Sequence, residues 1–289
     1  MKARRKGRRG QRTARAIEVN AGVLAAYQRA IVQLMRRVRR EFVTAIIDFL
    51  HKGANPPIAQ DADPRTILDT MRDFISGLFG RAAAKLRGLA QQLTARMSGR
   101  QARETVRSQR EALRKAGISP RMIDDAWSVP QVHGQHLSPQ AARELPSIIS
   151  DNTSLITKLA TSELNTIQSA VMEGMEKGLN IDDLEATLKT IPSMDAARAK
   201  RVALDQLNKV SQSVQRANCE SLGMTQAVWI HVPGQYTSRE SHIVMNGKTF
   251  DLREGMYDPE VKRNVQCAEL PFCRCVFRTV IPEELLADE

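Results

Sequence analysis

Three cysteines fall within nine residues near the end of the sequence, at Cys267, Cys273 and Cys275, in the stretch NVQCAELPFCRC. Thiolates chelate zinc when several converge with an imidazole, and His242 lies upstream to supply one. His242, Cys267, Cys273 and Cys275 are therefore candidate zinc ligands, and a metal would offset the thin core of a small sheet. The spacing C-x5-C-x-C departs from the C-x2-C knuckles usual at zinc sites. Close packing of reduced thiols, with cysteine acting as a compact hydrophobe, accounts for the same residues without metal. The fourth cysteine, Cys219, falls at a predicted helix end and reads as a small buried residue. His133 and His136 share a proline-containing loop with no cysteine or acid close in sequence, and read as surface histidines.

The same residues give little support to catalysis. A Cys–His pair suggests a thiol nucleophile, yet Pro271 and Phe272 do not set a cysteine at a helix N-terminus, where its pKa would fall. No G-x-S-x-G, H-E-x-x-H or P-loop pattern occurs. Asp124-Asp125 and Asp182-Asp183 stand at predicted helix starts, where capping explains adjacent acids. The sequence reads as a non-enzyme, with no small-molecule substrate.

The elements that must position the cysteines follow from periodicity. Residues 1–15 form a basic tail expected to be unstructured. Val23, Tyr27, Ile31, Leu34, Val38, Phe42, Ile46 and Phe49 recur at three- and four-residue steps, which predicts a long amphipathic helix ended by GANPPIAQ. Asp63-Pro64 starts a second helix to about Met97. A third, highly charged helix is predicted from about Arg100 to Lys115, stopping at Gly117. Residues 16–126 thus read as a basic helical arm, and 127–147 as a linker containing prolines and histidines. From 148 to 289 the pattern is α+β. Helices end near Gly178, Leu188 and Glu220, and AVWIHV is a strand. HIVM-NG-KTFD reads as a hairpin turning at Asn246-Gly247. GMYDPEVKRN is a loop and CVFRTVI a last strand. The predicted fold class is mostly helical α+β, with a small antiparallel sheet closed by the cysteine segment.

Charge is uneven along the 289 residues. The formal net charge is +11, and the first 120 residues carry 26 Lys and Arg against 9 Asp and Glu. This asymmetry points to contact with a polyanion through Arg4, Arg5, Lys6, Arg8 and Arg9 of the tail and Arg36, Arg37 and Arg40 of the first helix. A solvated basic helix face is the plainer explanation. Aromatic residues make up only 4%, so base stacking has little to work with. No run approaches the roughly 18 apolar residues of a membrane span, and no apolar run of signal-peptide type follows the basic start. A reducing cytoplasm is the expected place of synthesis, with thiols rather than disulfides.

From Gly178 onward the order of features resembles the C-terminal domain of the phage Mu F-like minor head proteins, the phage head morphogenesis family. The residues that carry the resemblance are EKGLNIDDLEATL, the helix RAKRVALDQLNK, the stretch ESLGMTQAVWIHVPGQYTSRESHIVMNGKTFD and the closing FCRC. Within them stand Asp205-Gln206 and Asn208-Lys209, a Trp-bearing strand, and R-x-x-H at Arg239 and His242. The resemblance implies a virion protein present in few copies near the portal, needed for procapsid assembly or for DNA packaging and delivery. Its implied partners are the portal protein or other head proteins, with packaged DNA in reach. The alternative is a non-specific nucleic-acid-binding protein that uses its basic front. Members often carry an acid shortly before the arginine. Here the stretch is PGQYTSR, so Arg239 needs another partner, Asp251 or a main-chain carbonyl.

Overall fold

A computed structural model describes residues 12–53, 64–130, 136–233 and 238–286. Arg4, Arg5, Lys6, Arg8, Arg9 and His133 lie outside them. The fold is mostly helical α+β. In chain order the elements are α1 (Ala21–Gly53), α2 (Pro64–Lys115), α3 (Pro120–Ala126), β1 (Val129–Pro130), β2 (His136–Leu137), α4 (Pro139–Glu176), α5 (Ile181–Thr190) and α6 (Ala196–Ser221). There follow β3 (Gln226–Ile230), α7 (Glu240–Met245), β4 (Thr249–Asp251), β5 (Met256–Asp258), β6 (Arg263–Val265) and β7 (Val276–Thr279). The chain forms two compact units, one of Ala26–Arg96 with Ile149–Lys200, the other of Met1–Ala25, Met97–Ile148 and Arg201–Glu289. Each unit therefore draws on both the basic front and the α+β back of the chain.

The unit of Ala26–Arg96 and Ile149–Lys200 holds helices and no strand among its described residues. The predicted α1 stripe is buried at Tyr27, Ile31, Leu34, Val38, Phe42 and Ile46. Phe42 meets Phe79 edge to face and Phe49 stacks on Phe74, contacts that add about 0.5–1.5 kcal/mol each to the burial. Arg39, on the half-exposed side of α1, reaches Glu163 at 3.3 Å and donates to the Leu188 carbonyl at 2.8 Å. That carbonyl belongs to the last turn of α5, where a cation complements the helix dipole. The cap of α5 is Asn180, whose side chain accepts from the Asp183 N–H at 2.8 Å. Asp182 and Asp183 then lie in the first turn.

The second helix does not break between Met97 and Arg100 as the sequence predicts. α2 runs on because Met97, Ser98, Gln101, Ala102, Thr105 and Val106 are buried at helical spacing. That burial outweighs the roughly 1 kcal/mol helix penalty of Gly99. Gly117, with φ at 99°, ends the helix as predicted, and the Ile118 N–H closes onto the Leu113 carbonyl.

The other unit holds the strands. β4, β3 and β7 form an antiparallel sheet in that order, with Ala227 opposite Phe250 and Trp229 opposite Phe277. Trp229, Phe250 and Phe277 make a chain of edge-on ring contacts beneath it. A buried polar layer ties α6 to the second half of α2. Asn218 uses both ends of its amide, donating to Gln109 Oε1 and accepting from the Ser138 N–H, both at 3.0 Å. Its carbonyl takes the Trp127 indole N–H at 3.1 Å. Fully satisfied networks of this kind fix a single arrangement of the helices that share them.

Four predicted features differ in this unit. The stretch HIVM is helical, part of α7, so Asn246-Gly247 does not join two strands. Ser241, His242 and Met245 are buried while Ile243 and Val244 are exposed, the spacing of a helix and not of a strand. The predicted loop GMYDPEVKRN instead makes a hairpin of β5 and β6, with Met256 opposite Val265. Of the predicted linker 127–147, Pro139 onward is helical. Ser138 Oγ accepts from the Ala141 N–H at 3.2 Å to cap α4, and Pro146 is tolerated inside it. Finally, order begins within the predicted tail. The Ala14 N–H donates to the Thr279 carbonyl and the Ile281 N–H to the Arg12 carbonyl, both at 2.9 Å, so the backbone beside β7 finds partners.

Candidate metal centre

Three chain segments converge on the cysteines: the end of β3, helix α7 and the segment leading into β7. Helix α6 holds the last of these. Asp205 Oδ1 accepts from the Phe272 N–H at 2.6 Å, and Asn208 Nδ2 donates to the Cys273 carbonyl at 3.1 Å. Asp205 and Asn208 of the two pairs singled out in the sequence therefore grip the FCRC turn. Ala268 and Phe272 take positive φ, at 65° and 59°, and fold that turn back on itself. Arg239, which precedes α7, donates to the Pro271 carbonyl at 3.3 Å, so its partner is a main-chain oxygen.

Asn246 and Gly247 fix the other side. The Gly247 N–H donates to the Trp229 carbonyl at 2.8 Å, and Asn246 Oδ1 accepts from the His231 N–H at 2.9 Å. Gly247 has φ at 79°, a conformation that favours glycine. The dipeptide thus locks the end of α7 to the end of β3, in place of the hairpin that the sequence predicts.

The result is a buried cluster of His242, Cys273 and Cys275, whose ligand atoms all lie within 4.8 Å of one another. His242 Nδ1 is 3.4 Å from Cys273 Sγ and 3.6 Å from Cys275 Sγ. A tetrahedral zinc with ordinary Zn–S and Zn–N bonds places its sulfur and nitrogen ligands about 3.6 Å apart. The separations match that edge, and they also suit S–H···N hydrogen bonds. The other ring nitrogen, His242 Nε2, lies 3.2 Å from Asp258 Oδ2, and Asp258 is wholly buried. An imidazole bound through one nitrogen and held by a carboxylate at the other is the usual outer-shell arrangement of a metal-ligating histidine.

The groups of the cluster shift one another's protonation. The Cys275 thiol beside it draws the Cys273 pKa down, against its burial and with help from His242. Cys275 is driven up by its neighbour Cys273 and by burial. Burial works to lower the His242 pKa, but contact with Cys273 and the charge of Asp258 outweigh it and raise it. Burial works to raise the Asp258 pKa, while the Glu260 N–H and His242 hold it down. Of the two thiols, Cys273 is thus the one that ionises more readily. The donor set of two sulfurs and an imidazole suits zinc.

Of the four predicted ligands, Cys267 stays out of the cluster. Its thiol donates to the Val276 carbonyl at 3.4 Å, and burial raises its pKa well above the ordinary value. Cys219 is buried as predicted, in contact with Thr279 Oγ1 at 3.1 Å, and burial pushes its thiol up to about 12. His136 lies half-buried on β2, away from the cysteines in the sequence and outside their cluster. Arg36, Arg37 and Arg40 are exposed on α1, and Arg37 pairs with Glu41 at 2.9 Å. Two residues escaped the sequence reading: Asp258, hidden in a presumed loop, and His231, whose Nδ1 lies 3.6 Å from Cys275 Sγ. An Asp-Pro step next to apolar Met256 and Tyr257 was the one signal for the first. A histidine at the end of an apolar strand was the signal for the second.

A Haemophilus influenzae protein described as uncharacterised is 27% identical over 137 residues, 46% of this chain and 30% of its own length. The Bacillus subtilis protein YqbB, also described as uncharacterised, is 26% identical over 141 residues, 45% of this chain and 46% of its own. The chain therefore spans less than half the length of either relative. No solved structure matches it. Residues 165–278 match the family described as Phage Mu protein F like protein, a stretch that contains α6, α7, the cluster and Asp258. Over residues 165–278 the chain is thus similar to the phage Mu F-like head morphogenesis proteins.

Proposed function

We propose that the chain is a minor head protein of a tailed phage, acting in procapsid assembly near the portal and in DNA packaging or delivery. The observation that carries this reading is the family match over residues 165–278. On it the protein is made in the host cytoplasm and resides in the virion. Its role is assembly, without catalysis, membrane contact or a small-molecule substrate. No helix among the described residues is long and apolar enough to cross a membrane.

Surfaces suited to such a role are present. A groove of about 610 Å³ beside α7 is lined by Val244, Met245, Met256 and Tyr257 together with Glu240 and Glu260. Ile243, Val244 and Tyr257 are more than half exposed, at 51%, 63% and 59%. Apolar exposure on this scale suits contact with the portal or another head protein. The exposed Arg36, Arg37 and Arg40, together with Arg4, Arg5, Lys6, Arg8 and Arg9, would meet packaged DNA through its phosphates. His242, Cys273 and Cys275 would hold zinc as a structural ion that closes the small sheet-bearing module.

Quantitative mass spectrometry of purified procapsids and mature virions tests the reading. A few copies in both agree with it, and absence from both overturns it. Salt separates it from the case in which coating DNA is the whole role. DNA affinity falls steeply with salt through counterion release, whereas docking through the apolar groove persists.

A further inference from the structure

The three residues of the cluster leave a tetrahedral ion one ligand short, and two side chains compete for the place. Cys267 is the nearer in sequence. Its sulfur is committed elsewhere, with the thiol proton donated to the Val276 carbonyl and the side chain buried. Neither it nor His231 is among the three groups whose ligand atoms all lie within 4.8 Å of one another. His231 approaches the cluster at Cys275. Its Nδ1 is 3.6 Å from Cys275 Sγ, the same separation as between that sulfur and His242 Nδ1. This again matches the edge of about 3.6 Å expected of sulfur and nitrogen ligands on one zinc.

The backbone holds His231 in place for the task. Its N–H is taken by Asn246 Oδ1, and Trp229, two residues before it, is bound on both sides by the turn after α7. The Trp229 N–H donates to the Lys248 carbonyl at 2.9 Å and its carbonyl accepts from Gly247. Trp229 supplies a second, independent sign. Its indole Nε1 is buried and has no hydrogen-bond partner. A buried N–H without an oxygen partner is costly, and a metal-bound thiolate sulfur is an acceptor that offsets the cost.

We propose that zinc at this cluster is four-coordinate, with His231 as the fourth ligand and Cys267 outside the coordination sphere. The inference rests on the reading that the cluster binds zinc. Two thiolates balance the charge of the ion, and the two imidazoles complete a closed site of the structural type. Asp258 holds the outer nitrogen of His242. The ion then ties together the end of β3 at His231, α7 at His242 and the segment before β7 at Cys273 and Cys275. Nothing in the set leaves a position open for water or substrate.

Cobalt substitution of the full chain tests this, because the intensity of sulfur-to-cobalt charge transfer counts thiolates and the visible bands report four-coordination. The wild type is expected to bind one cobalt with two-thiolate intensity, and Cys267→Ser to give the same spectrum. His231→Ala should keep the two-thiolate intensity, lose the tetrahedral bands, and bind zinc more than about a hundredfold more weakly, beyond the loss that even an outer-shell partner brings. His231→Gln, which keeps a polar head of similar size, repeats the measurement if the alanine variant folds poorly. A drop of one third in charge transfer in Cys267→Ser, or an unchanged spectrum and affinity in both His231 variants, overturns the fourth-ligand assignment while leaving zinc binding intact. A wild type that takes up neither cobalt nor zinc overturns the zinc reading itself.

Discussion

Removing the carboxylate of Asp205 asks whether α6 really carries the cysteine turn. Asp205 is only 4% exposed; it accepts from the Phe272 N–H at 2.6 Å and pairs with Lys209 at 2.9 Å. Burial pushes its pKa up, against the pull of Lys209 and of the Phe272 N–H, so the buried charge itself carries a cost. In Asp205→Ala the hydrogen bond to a charged acceptor is lost, about 1.5–3 kcal/mol, and the Phe272 N–H is left without its partner. The Lys209 pair adds little, since the lysine side chain is 29% exposed and solvent screens it. Relief of the buried charge offsets part of the loss, which leaves roughly 2–3 kcal/mol. For a unit of this size that is a fall in Tm of about 5–10 °C. Asp205→Asn keeps an oxygen for the Phe272 N–H and discards the charge, so it should cost about 1 kcal/mol or less. Urea and thermal unfolding of the three proteins at one pH is the assay. An alanine variant within about 0.5 kcal/mol of wild type, or an asparagine variant as unstable as the alanine one, refutes the assignment of Asp205 as the acceptor that holds the turn.

Two further outcomes follow from the backbone and from burial. Gly255→Ala should cost more than about 2 kcal/mol, because φ is +80° there and the new Cβ would fall 2.6 Å from the Val265 carbonyl oxygen. A urea midpoint that hardly moves would mean that the β5–β6 hairpin is not built as described. Burial raises the Tyr27 pKa above its unfolded value, so the folded chain keeps a proton that the unfolded chain releases. Its contribution is complete below pH about 10 and is lost as pH climbs further. Unfolding measured at several alkaline pH values should show a smaller loss in Tyr27→Phe than in wild type, and equal slopes would contradict the argument.

Much of the helical framework was legible because burial follows a period that survives over many turns. The α1 stripe from Val23 to Ile46 is buried at every predicted position, and Gly117 and Gly178 end helices with positive φ. Short elements were not legible in the same way. Over the six residues of α7, β-branched Ile243 and Val244 look like strand residues, and only the burial of Ser241, His242 and Met245 reveals the helix. The site was half readable for a related reason. Cys273 and Cys275 are two apart and reach His242 together, but proximity in sequence made Cys267 look equivalent. Two positive-φ residues, Ala268 and Phe272, separate it from them and send its thiol to a carbonyl. Asp258 and His231 contribute through strand pairing and a side-chain bond from Asn246, which no local pattern encodes.

The way the two units take their residues from the chain also sets an order in time. The all-helical unit is made of segments that end at Lys200, whereas the sheet-bearing unit needs Ala14 beside Thr279 and Arg12 beside Ile281. On the ribosome the first has its whole complement of chain while the second still lacks β3 through β7. Domains fold as units as their sequence emerges, and pairings of large separation come last. A nascent chain halted at Lys200 therefore holds a core that can close. One halted anywhere before Ile281 leaves the segment around Ala14 waiting for a strand that has yet to be synthesised.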